Sequence, residues 1–422
     1  MKKIFLFQII SAFTFFQPVH AGNFYIDPSA VGSKQKGTLQ DPWTEIAPLN
    51  EQMTKLTAGD TVFFKKGEMF TEVVRIRCSG KPGAPVVFMP YGNARSNPLF
   101  LFKMQENEYH NMFEIRHSKY IDIQGLHVTD DKLRSLDEAA TARIRIAFNI
   151  DSSDYCRIRD CRVSYAGIGA NIIGSHNEIE NCRFENMRMV WNTEGGDDDY
   201  GANGVVIAGP DNLVSGCIFK NCWGKSYDYE FDGGAIDLYG SESDNSRIIR
   251  NIAVNCNGFM EIGSGEGGDC LNTMVEGNLI VNCGDLLYIS TGGKFALNVS
   301  GLHFSGNKLI QTTDMLTKPR NLVSMTKAIS GGQIMDFTGN IFWVSTGTGF
   351  LRPSVFQKGQ IGHQSNIFYL SGGKLNMEPA ETDQVYDATR GEWPARPLNE
   401  ILRINASLYP FKYLLPYWYL FI

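Results

Sequence analysis

The run YDYEFDGGAIDLYG, residues 227–240, places Asp228, Glu230, Asp232 and Asp237 in a segment that otherwise reads as a β-strand. Carboxylates seldom sit in buried strands, because taking their charge out of water is costly. A second strand-like run, FMEIGS (259–264), carries Glu261. The loop TEGGDDDYGANG (193–204) adds Glu194, Asp197, Asp198 and Asp199, and GSGEGGD (263–269) adds Glu266 and Asp269. Acids grouped in this way serve as solvated decoration, as a cage for a hard cation, or as a paired general acid and base.

Alignment by flanking residues narrows the choice. In GVVIAG (204–209), AIDLYG (235–240), FMEIGS (259–264) and LLYIST (286–291), Val205, Ile236, Met260 and Leu287 fall on one apolar column. Ile207, Leu238, Ile262 and Ile289 fall on a second apolar column, and Val206, Asp237, Glu261 and Tyr288 lie between the two, facing outward. If these strands stack in register, Asp237 and Glu261 stand side by side about 5 Å apart, the spacing of neighbouring strands. Carboxylates that close repel unless one keeps a proton or a cation sits between them. A retained proton makes a general acid, and a shared cation makes a Ca²⁺ site. Asp199 and Asp232 precede the first two strands and are expected on the same patch. The catalytic candidates are therefore Asp237, Glu261, Asp232 and Asp199, with Glu261 and Asp237 as metal ligands if Ca²⁺ is used.

Such a column needs a repeating scaffold, and the chain has one. YIDIQGLHV, YCRIRDCRV, HNEIENCRF, DNLVSGCIF, SRIIRNIAV, NTMVEGNLI, LHFSGNKLI, IMDFTGNIF and GHQSNIFYL each read as strand, turn and strand. Aligning their turns on Gly125, Asp160, Asn181, Gly216, Asn251, Asn278, Asn307, Asn340 and Asn366 gives steps of 21 to 35 residues, with loops of variable length at one corner. Asn suits a left-handed turn, and its side chain can bond to a neighbouring coil. Helical periodicity is scarce apart from SLDEAATAR at 135–143. Short half-buried strands that cannot close a core alone must stack, which predicts an all-β solenoid. Cys161, Cys182, Cys222, Cys256 and Cys283 recur within the repeat, and a periodic Cys reads as a small buried residue rather than half of a disulfide.

The opening FYIDPSAVGSKQKGTLQDPWTEIAPLNEQMTKLTAGDTVFFKKGEMFTEVVRIRCSGKPGAPVVFMPYG resembles that of single-stranded right-handed parallel β-helix proteins of the pectin-lyase superfold. GDTVFFKKGEMF and SGKPGAPVVF are similar to the N-terminal capping helix and first coil of secreted members, and the resemblance spans roughly 23–370. It implies carbohydrate chemistry as a class but not one reaction, since the superfold hosts lyases, hydrolases, epimerases and adhesins. The coil NGFMEIGSGEGG (257–268) is similar to the calcium-binding coil of the chondroitinase B and alginate lyase family, which implies Glu261 as a metal ligand. Those lyases also need a Lys or Arg just beyond the acidic strand, yet GSGEGG and LLYISTGG offer no basic residue before Lys294.

Sugar rings stack on aromatic faces, and Trp191, Trp223, Tyr227, Tyr239 and Tyr288 lie on the same coils, with Lys225 nearby, as candidate substrate contacts. A net charge of −6 and a pI near 5.7 give no electrostatic footprint for nucleic acid. Lys2 and Lys3 precede an apolar run ending in PVHAG, which reads as a secretory signal peptide over 1–21. Cap and first coils are then expected over 22–111, the helix proper over 112–370 with its active coils at about 190–290, and a tail over 371–422. The chain reads as a secreted or periplasmic glycoside hydrolase that acts on a polysaccharide or oligosaccharide and needs no cofactor. A Ca²⁺-dependent polysaccharide lyase and a non-catalytic glycan-binding surface protein are the alternatives.

Overall fold

A computed structural model describes residues 21–103, 110–130, 145–311, 320–345 and 347–390. The expected signal peptide, the 135–143 segment and the end of the chain from 391 onward lie outside the described residues, apart from Ala21. Three parallel sheets of twelve, nine and twelve strands run the length of the described chain. One coil shows the plan: Leu213–Ser215 lies in the first sheet, Ile218–Cys222 in the second and Gly234–Tyr239 in the nine-stranded third, after which Arg247–Ile249 returns to the first. The expected parallel β-helix is thus the observed fold, and connections between parallel strands of this kind are right-handed.

Alternation along each strand sends one set of residues into a continuous apolar core. On the nine-stranded sheet Val205, Ile236, Met260 and Leu287 are buried to 1% exposure or less, as are Ile207, Leu238, Ile262 and Ile289. Phenylalanines stack coil on coil within this core, as Phe184 does on Phe219 with ring centroids 5.3 Å apart. All nine cysteines are buried as free thiols, in line with the small-hydrophobe reading.

From Gly125 onward the corner between the first and second sheets recurs in one conformation; the first four aligned turn positions hold, and from Asn251 onward the structure moves the alignment by one position. The left-handed residues are Gly125, Asp160, Asn181, Gly216, Arg250, Gly277, Gly306, Gly339 and Ser365, all with φ between +52° and +64°. The next position points inward and holds Cys161, Cys182 and Cys217, followed by Asn251, Asn278, Asn307, Asn340 and Asn366. These asparagines do not make the turn, as the alignment expected. They are buried and bonded to one another along the axis. The backbone N–H of Asn278 donates to Asn307 Oδ1 at 3.0 Å, and that of Asn307 donates to Asn340 Oδ1 at 2.8 Å. Each Nδ2 also donates to the next Oδ1 and to a backbone carbonyl, as Asn307 does to Val275.

Differences between coils are carried by the other corners. Between the second sheet and the nine-stranded sheet, two coils insert antiparallel hairpins: Met189–Trp191 with Tyr200–Gly201, and Gly224–Ser226 with Glu230–Asp232. The N-terminal cap is the helix Ala47–Gln52 with a 3-10 turn at Met53–Lys55. GDTVFFKKGEMF supplies only strands, Thr61–Lys65 and Met69–Phe70, because its alternating apolar residues continue the sheets. At the other end the second sheet continues past 370 to Gln384–Asp387.

The asparagine ladder yields a direct prediction. Asn307→Ala removes bonds on both sides and leaves buried groups of its neighbours unpaired, a loss of about 1–3 kcal/mol by analogy with other buried polar groups. Urea or thermal unfolding should show the lowered midpoint, and an unchanged midpoint would deny the ladder its role.

Candidate active site

Strands Asn203–Ile207, Gly234–Tyr239, Met260–Gly263, Leu287–Ile289 and Val323–Met325 lie side by side in the nine-stranded sheet. Their register pairs Val206 with Asp237, Asp237 with Glu261, Glu261 with Tyr288, and Tyr288 with Ser324. Asp237 and Glu261 are therefore direct neighbours on the outward face, both half-buried. Asn203 Nδ2 donates to Asp237 Oδ2 at 3.1 Å. Asp237 Oδ1 and Asn203 Oδ1 are buried and make no hydrogen bond among the described residues.

The electrostatics follow from that placement. Burial, reinforced by the neighbouring charge of Asp232, pushes the Asp237 carboxyl up to about 8. Burial also pushes Glu261 well above the carboxylate range, with Asp237, Asp232 and Asp285 adding repulsion and Arg320 opposing it. Asp237 and Glu261 titrate as a pair, and at neutral pH the pair holds a proton. Burial raises Asp232 to about 6, with Asp199 adding to the rise, while the Gly233 amide and Arg320 work against it. Asp285 also reaches about 6 through burial, again opposed by Arg320.

Asp285 and Arg320 were not singled out by the sequence. Asp285 stands just before its strand, where the previous coil has Gly258, and a Cβ on Gly258 would lie 2.5 Å from Asp285 Oδ1. Arg320 Nη2 donates to the Asn257 carbonyl at 2.8 Å and to Asn257 Oδ1 at 2.6 Å, and lies 3.5 Å from Asp285 Oδ2. Asp285 appears in the sequence as a carboxylate following a small-residue pair in VNCGD, but that position lies off the outward column. Arg320 comes from a later coil at a place with no repeat signature.

Asp199 is arranged differently from the other acids. Its Oδ1 accepts from the Thr193 amide at 2.7 Å, and its Oδ2 accepts from Ser226 Oγ at 2.7 Å and from the Tyr227 and Asp228 amides at 2.8 and 3.1 Å. Burial opposes its charge, but these donors outweigh it and hold the carboxyl below its usual range. Asp199 thus clamps the two hairpin loops together beside Asp232. Asp228 completes the clamp by accepting from the Asp198 amide at 2.8 Å. Among the described residues, the acids whose ligand atoms converge as a trio are Asp198, Asp199 and Asp228, not the Asp237–Glu261 pair.

The aromatic candidates divide. Trp223 is 6% exposed and packs edge-on against Phe231, so it belongs to the loop core rather than to a stacking face. It is buried because the hairpin that follows folds back over it. Tyr239 is 47% exposed, and its ring lies over Gly263, where a Cβ would come within 3.0 Å of it. Tyr227 is exposed, and Tyr288 is half-buried with its hydroxyl 3.2 Å from Thr326 Oγ1. Lys225 is exposed on the hairpin, and the Trp191 side chain lies outside the described residues.

Comparison with known proteins agrees with this architecture. A family profile described as a right handed beta helix region matches residues 142–342. No curated protein sequence matches the chain. The chain is similar in structure to an endo-xylogalacturonan hydrolase from Aspergillus tubingensis, with a TM-score of 0.57 and 11% identity over 86% of this chain and 95% of that one. It is also similar to an alginate lyase from Paenibacillus sp., with a TM-score of 0.43 and 11% identity over 81% and 96% of the two chains. A lacto-N-biosidase from Eubacterium ramulus gives a TM-score of 0.48 and 11% identity over 86% and 68%. At such identities the likeness concerns the fold alone, and that fold is a right-handed parallel β-helix.

Proposed function

We propose that the chain is an exported glycoside hydrolase in which the Asp237–Glu261 pair donates the proton and Asp232 acts as base. The observation that carries this reading is the in-register pairing of Asp237 with Glu261 on an outward, half-buried column. Glycosidic cleavage needs one carboxyl that is protonated at working pH and one that is not. The pair supplies the first. Asp237 Oδ1, buried without a hydrogen-bond partner among the described residues, disfavours ionisation of this carboxyl and helps the pair keep its proton. Asp232, near 6, is ionised at neutral pH and can take the proton of the attacking water. Asp285 and Arg320 support the site electrostatically: the guanidinium favours ionised Glu261 and Asp232, and Asp285 favours the positive charge that develops on the sugar ring. Tyr239, Tyr227 and Tyr288 offer surfaces for the sugar rings.

A second reading rests on the two unpartnered oxygens. Asp237 Oδ1 and Asn203 Oδ1, with Glu261 beside them, make the all-oxygen donor set that Ca²⁺ takes, so these residues fit such an ion. A cation held there would neutralise the pair and the carboxylate of a uronate, as a polysaccharide lyase requires. The basic side chain described at the site is Arg320, bonded to Asn257, and a guanidinium does not give up its proton readily enough to act as a base. This favours the hydrolase.

A panel of glycans scored for new reducing ends and for ultraviolet-absorbing unsaturated products separates the readings. Reducing ends without absorbance, retained in a chelator, are expected, whereas absorbance that the chelator abolishes would support the lyase. Asp237→Asn and Glu261→Gln should each lower kcat by about 10²–10⁴-fold, the scale of a lost general acid, with full activity in both variants contradicting the assignment. The pH profile of kcat/KM should be bell-shaped. The rate should rise as Asp232 ionises near 6 and fall as Asp237 loses its proton near 8. A profile still rising above pH 9 would exclude the pair as proton donor.

A further inference from the structure

The outer side of the first sheet, away from the carboxylates, holds a cavity of about 320 Å³ in the N-terminal half of the chain. Tyr120, Tyr155 and His176 line it from three successive coils, above Asp122, Arg157 and Glu178 of the sheet. The rings form a stack: Tyr120 and Tyr155 are 5.0 Å apart and inclined by 13°, and Tyr155 and His176 are 4.8 Å apart and inclined by 31°. Tyr155 is 42% exposed.

These rings occupy an unusual backbone position. Tyr120, Tyr155 and His176 have φ of +55°, +56° and +58°, a region that bulky side chains rarely adopt. The same corner in the following coils holds Asp211, Asn245, Asn272 and Gly301, with φ of +59°, +56°, +56° and +66°. Asp, Asn and Gly suit that conformation, so the turn itself does not call for aromatic rings. Strained positions are kept where function or the surroundings require them, and at this corner the bulky left-handed residues are those of the coils that line the cavity.

The floor specifies the chemistry. Asp122 accepts from Arg159 Nε and Nη2 at 3.0 and 2.9 Å, and Arg157 Nε donates to Glu178 Oε2 at 2.6 Å. Each floor charge has its counter-charge within the protein, and Lys81 on the lining is an exposed, solvated lysine of the preceding turn, so the floor itself selects neither an anion nor a cation. What remains is a fixed array of donors and acceptors beside aromatic edges, which matches a neutral polyhydroxylated ring. We propose that this cavity binds one unit of a neutral glycan chain, as a non-catalytic site separate from the carboxylate cluster; the choice of a glycan rests on the carbohydrate reading of that cluster.

Full-length protein carrying Asp237→Asn, which removes turnover, can be run in gels containing xylan, soluble cellulose derivatives without charge, or polygalacturonate as an anionic control. Retardation by at least one neutral glycan is expected. Tyr155→Asn, which installs the residue type used by later coils, should weaken it by about tenfold, the scale of a lost aromatic contact, without lowering the unfolding midpoint. His176→Asn provides an independent second variant. Retardation unchanged in both variants, absent for every neutral glycan, or confined to polygalacturonate would overturn the proposal. With Asp237 intact, Tyr155→Asn should turn over a short soluble substrate at the wild-type rate. A protein with no turnover but with Tyr155-dependent retardation would refute the hydrolase reading and leave the cavity standing.

Discussion

The constraint on which the site depends is the fixed strand spacing of a parallel stack. Adjacent coils are held by backbone hydrogen bonds at about 4.8 Å, and side chains at equivalent positions cannot move apart. When two such positions are both acidic, their repulsion cannot be relieved by turning away. It is relieved by protonation: burial pushes both carboxyls upward, the charge of Asp232 adds to Asp237, and the charge of Asp237 adds further to Glu261. The scaffold thereby makes a general acid out of ordinary carboxyls. The repulsion also weakens the fold. A carboxyl raised in the folded state favours folding less as pH rises from its unfolded value through its folded one, so this pair costs stability on the alkaline side.

Such a site needs support from elsewhere, and the repeat supplies it at a corner that does not vary. The buried asparagine ladder from Asn251 to Asn366 pins one corner of each coil to the next through side-chain and backbone bonds. With that corner fixed, the other corners are free to carry loops. The two hairpins beside Asp232 occupy one of them, and Asp199 ties them together through four donors. Asp199 and Asp232 are close in space and chemically opposed. One is saturated with hydrogen bonds and held ionised, and the other is desolvated and raised.

Much of this was legible in the residues. Period-two alternation and the repeat gave the solenoid, and the glycine-flanked strands gave the Asp237–Glu261 register, because a column in a parallel stack follows from counting along each strand. What was not legible lies off the strands. Asn181 makes the turn, but from Asn251 onward the recurrent Asn is the inward neighbour of the left-handed residue, and sequence spacing alone does not separate the two. Trp223 looked available for stacking, but a hairpin folded over it. Arg320 reaches Asp285 from a later coil, a contact that depends on loop path rather than on pattern.

The central claim, that the stacked pair keeps a proton at neutral pH, can be measured without any substrate. Carbon-13 NMR of the side-chain carboxyls, assigned by Asp237→Asn and Glu261→Gln, follows each group through its titration. The account predicts that the Asp237 carboxyl loses its proton near pH 8, that Glu261 stays protonated well above the usual carboxylate range, and that neutralising Asp237 lowers the Glu261 titration. Two carboxyls that both ionise below pH 5 would contradict it.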